Sequence, residues 1–369
     1  MASVVALSIA LVFSYISPTP ATADRAYPFR REQCPSYDNI KNFPAEIRNQ
    51  KSQGICWAFS AADLYSEELC LGDRSLCGLP VSVMDLMRCS FVLGGDSAFA
   101  DTSGNDTRGL QCALNNGGAC MENHAPYFEK LKKECFGDEN DPSHCVLAYL
   151  RHAYDRYQRL TDRSGGPNHC EDSTGSIPER APEDAVLSRG ALRKIDQLVE
   201  TAGRYLPDQV ENGLSIGEAL AKAKTKSDFI QSMLIPKQCA DNRKLSGGAS
   251  AAIDSSFFKD DGTVVPLDKR LVALVEGFSF KHSSTVSLCS HLVDFPLGKS
   301  RNNPNSPTCA NHSVIINAMK WNEKSGRCEV HVRNSWGKNS ALSGWMDAAH
   351  VLNATFRATY VLSSTPTNY

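Results

Sequence analysis

The chain has 369 residues, with 39 Lys plus Arg against 41 Asp plus Glu and a net charge of −2. That length exceeds an average domain and suffices for one large core or two lobes. The near-neutral balance offers no basic field, so neither nucleic acid nor an anionic membrane is expected as a partner.

Val4 to Ile16 is an apolar run of signal-peptide length, too short to span a bilayer. Ala21-Thr22-Ala23 fits the small-x-small cleavage pattern, so residues 1–23 read as a signal peptide and the mature chain is expected to start near Asp24. No other stretch reads as a membrane helix. The product is expected to be secreted or periplasmic, with no membrane contact after signal removal. Fourteen cysteines fit that compartment. If one of them is a working thiol, the odd remainder cannot all pair within one chain. Cys70 with Cys77 and Cys289 with Cys309 are plausible staples. His144-Cys145 and His169-Cys170 could make a zinc site, but an exported chain favours a Cys145–Cys170 disulfide.

Pro44 to Gln53 reads as a loop leading into a helix from Cys56 to about Leu69, with Phe59, Ala62, Tyr65 and Leu69 at helical spacing. Residues 79–89 and 107–118 give two more helices, the second stopped by Gly117 and Gly118. Apolar residues then recur at spacings of three and four over 142–161 and 183–206. Ser215 and Glu218 form a capping-box pattern before a helix with Leu220, Phe229, Ile230 and Met233 on its apolar side. Roughly 136–250 is therefore taken as a helical insertion. Phe278 and Phe280 read as strand core.

In the last third, "SVIINAMKW" and "CEVHVRNSW" flank the turn-rich "NEKSGR", a hairpin signal. Antiparallel pairing brings His312 and Asn334 to its open end as approximate cross-strand neighbours.

A thiol at a helix start meets unpaired N–H groups and the positive end of the dipole, both of which favour thiolate. A nearby imidazolium lowers its pKa further. A cysteine nucleophile needs such a base, and the base needs a group to hold its ring. His312 with Asn334 beside it supplies both, because the Asn oxygen can accept the ring N–H without adding charge. The Cys56 N–H and the Gln50 amide are candidate oxyanion donors.

The segments "NQKSQGICWAFS", "NHSVI" and "VRNSWG", in that order, resemble the papain-like cysteine peptidases. The resemblance implies Cys56 as nucleophile, His312 as base, Asn334 as its orienter and Gln50 as oxyanion donor. It implies that Trp336 covers the Asn334–His312 bond, with Trp57, Trp336 and Gly104 at the substrate cleft. It also implies a Cys89–Cys135 disulfide. A family cysteine three residues before the nucleophile is replaced by Gln53, and its partner is missing too, near "DTSGN". The 256 residues from Cys56 to His312 exceed the roughly 130–150 of the family pattern by about 110, which matches the insertion.

The resemblance implies an α+β fold with two lobes, a helical one carrying Cys56 and an antiparallel β-rich one carrying His312 and Asn334. The expected division is 1–23 signal peptide, 24–135 N-terminal segment and helical lobe, 136–250 insertion and 251–369 β-rich lobe. Only 32 residues separate Asp24 from Cys56, too few for the family's inhibitory pro-segment, so the insertion is read as capping or shaping the cleft. Asn311-His312-Ser313 is formally a glycosylation sequon. A glycan there would block the cleft, which favours a bacterial source.

The expected function is exported endopeptidase chemistry through a Cys-His-Asn triad and a thioester. It needs no cofactor and no metal. A protein or peptide is the substrate, and a proteinaceous inhibitor is a conceivable partner. Two rivals stand beside it: transpeptidation by the same triad, and a non-enzymatic binding protein on the same fold.

Overall fold

A computed structural model describes residues 27–50, 55–92, 105–115, 117–127, 154–155, 157–158, 216–224, 226–247, 250–258, 263–293, 309–337, 340 and 342–363. The signal peptide, Gly104, Cys135 and most of the expected insertion lie outside these residues. So do the Cys89–Cys135 and Cys145–Cys170 pairings, because the Cys89 side chain is not described.

The architecture is α+β, with one buried cluster among helices and another against a sheet. The helical cluster is built on α1 (Cys56–Gly72), α2 (Val83–Val92) and α3 (Asp106–Asn115). From Trp57 to Cys70 every residue of α1 is buried, so this helix is wrapped on all sides rather than amphipathic. It approaches α3 closely: a Cβ on Gly109 would stand 3.0 Å from the Trp57 ring. Gly117 and Gly118 end α3 with φ of 83° and 81°, the left-handed backbone that glycine adopts without penalty.

Three short helices follow, α4 (Ile216–Lys222), α5 (Lys226–Leu234) and α6 (Lys237–Asp241). Leu220, Phe229, Ile230 and Met233, the apolar side expected from periodicity, are buried in the same cluster as α1. The described part of 136–250 thus shares the core of the helical lobe. A Cys120–Cys239 disulfide fastens α6 to the segment after α3.

The sheet contains β1 (Tyr37–Asp38), β2 (Ser250–Ser256), β3 (Ser284–Cys289), β4 (Asn311–Asn322), β5 (Arg327–Arg333), β6 (Gly344–Asp347) and β7 (Thr355–Ser363). Its order is β2-β7-β3-β4-β5-β6, with β1 also on β4, and all pairs are antiparallel. Two helices, α7 (Leu267–Ser279) and α8 (Ala348–Ala354), pack with it. Phe278 corrects the strand reading: it lies on α7, buried, and stacks on Tyr37 at 4.2 Å. Phe280 is the C-cap of α7 and is 44% exposed, because the helix has already ended.

The two lobes meet through charge. Asp63 of α1 accepts from Arg333 Nε at 2.7 Å and from Arg48. Arg48 also reaches Glu122 at 3.0 Å. The two guanidinium groups hold the Asp63 carboxyl below its ordinary range against a burial that would raise it. Cys34–Cys328, Cys70–Cys77 and Cys289–Cys309 are disulfides, the last two as expected from the sequence. We predict that Asp63→Ala, which strands two buried cations, costs roughly 3–5 kcal/mol in urea unfolding. A loss under 1 kcal/mol would show that the lobes do not depend on this contact.

Candidate active site

Cys56 is the first residue of α1 and partly exposed, and it is the free cysteine among the described residues. Ile55 caps the helix without a side-chain hydrogen bond, so the first N–H groups of α1 stay available to the sulfur. The backbone of Ser313, of Trp57 and of Cys56 itself acts on that sulfur in favour of thiolate. Ser313 is the third residue of β4 and follows His312 directly.

His312 is the second residue of β4 and is 4% exposed. Its Nε2 lies 2.7 Å from Asn334 Oδ1. An amide oxygen only accepts, so Nε2 carries the hydrogen and Nδ1 is the basic nitrogen. The amide is held that way round by its Nδ2, which donates to Ser340 Oγ at 2.9 Å. The pair arises from a shifted register. Near the turn Met319 faces Val330, but beyond a bulge Ile315 faces Arg333. Asn334, just past β5, therefore reaches His312 diagonally along the hairpin rather than directly across it.

The Trp336 ring stacks on the His312 ring with centroids 4.0 Å apart and planes at 22°. Its outer face remains in solvent at 40% exposure, so it covers the imidazole as expected. Gln50 is 4% exposed. Its N–H donates to Ser335 O at 2.8 Å, and its Oε1 accepts from Ser335 Oγ. That fixes the amide with Nε2 turned away from Ser335. Asn49 forms an isolated bridge with Trp336, so the loop before Cys56 is sewn to the segment after Asn334. Trp57, expected at the cleft, is instead core, 3% exposed against Gly109.

Burial opposes the backbone groups that favour a thiolate. Burial pushes the Cys56 thiol up to about 11, with the Asp106 charge adding to it and three backbone N–H groups opposing. Burial also pushes His312 down to about 4, against a smaller opposing effect of the Asn334 bond. The helix-start donors are present, but desolvation of the sulfur outweighs them. Burial thus favours the neutral form of each group, taken singly.

Asp85, Cys120 and Cys239 come within metal-binding distance of one another. The two sulfurs are already bonded to each other, and a disulfide is not a thiolate donor set, so these residues do not fit a metal.

A family profile described as "Papain family cysteine protease" matches residues 35–163. Cathepsin 7 of Rattus norvegicus is 33% identical over 88 residues, which is 24% of this chain and 25% of the relative. Cathepsin B-like cysteine proteinase 3 of Caenorhabditis elegans is 36% identical over 72 residues, 20% of this chain and 17% of the relative. The chain therefore spans about a quarter or less of the curated relatives it matches. Among solved structures, a bromelain protease from Ananas comosus in complex with the E64 inhibitor is similar at a TM-score of 0.41 and 12% identity, covering 89% of this chain and 99% of that one. Residues 35–163, which hold Cys56 and Gln50, are thus similar to papain-family cysteine proteases, and the matched relatives are cathepsins over short stretches. The profile match ends well before His312, so that half of the site stands on its geometry.

The site makes a pH prediction. His312 binds a proton at about 4 when folded and at 6.5 when free. Between these values the unfolded chain holds more protons, so stability rises with pH. The contribution is complete above 6.5 and lost as pH falls toward 4. Urea unfolding of His312→Gln should show a shallower pH slope across that window by up to one proton. An unchanged slope would mean that His312 is not buried neutral.

Proposed function

We propose that the chain is an exported cysteine endopeptidase acting through Cys56, His312 and Asn334. The observation that supports the reading is the His312–Asn334 bond under Trp336. Nδ1 of His312 takes the thiol proton as the sulfur attacks the scissile carbonyl carbon. The carbonyl electron pair moves to oxygen, where Gln50 Nε2 and the Cys56 N–H would receive it. Collapse breaks the C–N bond, and His312 returns the proton to the leaving amine. Water, deprotonated by the same nitrogen, then cleaves the thioester and restores the thiol.

The burial that favours the neutral form of each group taken singly fits this sequence. Charge separates only when proton transfer and attack proceed together, and the ion pair formed is shielded by the same burial that disfavours either charge alone. The four disulfides formed between described residues support export. Among the described residues no helix is long and apolar enough to cross a membrane.

The test is titration of the mature chain with an epoxide-type thiol inhibitor, alongside peptide hydrolysis. Labelling at one site, abolished in Cys56→Ala, is expected. His312→Ala should lower kcat by about 10²–10⁴-fold. Gln50→Ala should lower kcat by about 10²-fold with KM nearly unchanged. A folded chain that takes no label would sink the reading in favour of an inert fold. Acyl transfer to an added amine in preference to water would convert it to a transpeptidase.

A further inference from the structure

Asp106 is a buried carboxylate that the proposed chemistry does not use. It opens α3 and is 2% exposed. Its Oδ1 accepts the Thr107 N–H at 2.9 Å. Its Oδ2 accepts Thr285 Oγ1 at 2.7 Å and Ser313 Oγ at 3.0 Å. Thr285 lies on β3 and Ser313 on β4. Ser313 pairs with Ser287, so Thr285, two residues along, shares its face of the sheet. One carboxylate from the helical lobe thus grips two adjacent strands of the other lobe. Of those two contacts, Ser313 follows His312 directly on β4, and its backbone acts on the Cys56 thiol in favour of thiolate.

We propose that Asp106 is a positioning residue for the reaction: by holding Ser313 from the opposite lobe, it fixes the start of β4, and with it His312, against Cys56. The inference rests on the reading of Cys56 and His312 as the reacting pair. A plain clamp between lobes would need no such address. Next to Asp106 the structure already has one in the Thr107 Oγ1···Thr359 Oγ1 contact at 2.7 Å, which joins α3 to β7 without touching β4. The placement also has an electrostatic consequence. The negative charge of Asp106 opposes formation of the thiolate and adds to the effect of burial. The other ionisable groups facing this junction are His312 on β4 and Asp254 on β2. Burial and Asp106 raise the Asp254 carboxyl, and Arg357 on β7 opposes this.

The experiment measures the rate of Cys56 carboxamidomethylation by iodoacetamide against pH, with kcat and KM on a peptide substrate, in the full mature chain. Asp106→Asn keeps an accepting oxygen and drops the charge. Its alkylation midpoint should move to lower pH, with kcat within about threefold of wild type. Asp106→Ala and Ser313→Ala should each lower kcat about tenfold with KM little changed, and the double variant should be no worse than either. Thr107→Val should lower the melting temperature while leaving kcat and the alkylation profile unchanged. If Asp106→Asn and Ser313→Ala change only the melting temperature, or if Asp106→Ala and Ser313→Ala are additive, Asp106 is a structural clamp and the proposal is wrong. If wild-type Cys56 is inert to iodoacetamide, the reading of the site fails and takes this inference with it.

Discussion

Three stretches of chain must converge for this site to exist, and one buried carboxylate gathers them. Asp63 lies two turns beyond Cys56 on α1. It binds Arg333, the residue before Asn334, and Arg48, two residues before Gln50. Arg333 also donates to Glu46 O at 2.6 Å, which fastens the Gln50 loop from a second direction. Each partner of Asp63 is a near neighbour in sequence of a proposed functional residue, so an error in this contact is passed to the site with little slack. Such a pair gains little over an apolar substitute but loses much when one partner is removed. Its value is therefore in specifying geometry.

The interface between the lobes is polar along more of its length. Glu67 of α1, with no exposed surface, accepts the Ser283 N–H at 2.8 Å, the Ser283 Oγ at 2.7 Å and the Asn39 amide. Burial pushes its carboxyl up to about 8, so it is protonated or nearly so at neutral pH. Glu68 beside it faces the buried His282 at 3.5 Å. The two cores on either side are apolar, and the helical one also takes in Val361 of β7. Polar contacts between them fix one relative placement where an apolar seam would tolerate sliding.

The chemistry was more legible in the sequence than the scaffold. Cys56 is flanked by residues that mark a helix start, and a turn flanked by β-branched runs is enough to pair His312 with Asn334. The diagonal register was not readable, because the bulge between Ile316 and Ala318 leaves no mark in the alternation. The desolvation of Cys56 was not readable for a physical reason. Helix-start donors can be seen in sequence, whereas desolvation depends on everything packed around the sulfur. Asp63, Arg48 and Arg333 look like ordinary charged residues until the fold buries them together. Trp57 followed the motif to the cleft, yet the small Gly109 opposite draws its ring into the core. Phe278 and Phe280 were misassigned because apolar residues two apart read equally well as a strand or as the frayed end of α7.

The segment before the nucleophile is tied down across the back of the β-rich lobe. Tyr27 donates to Cys328 O at 3.0 Å, Phe29 lies in the sheet's cluster, and Cys34 is bonded to Cys328. Cys34 is 5% exposed and Cys328 has no exposed surface, whereas Cys56 is partly open to solvent. A small reductant thus meets two sulfur populations with unequal access. It can keep the nucleophile reduced at concentrations that leave the tether intact, because attack on the tether first requires local opening. Reducing strength becomes a dial with a plateau: too little leaves the thiol capped, and too much unfastens the strap.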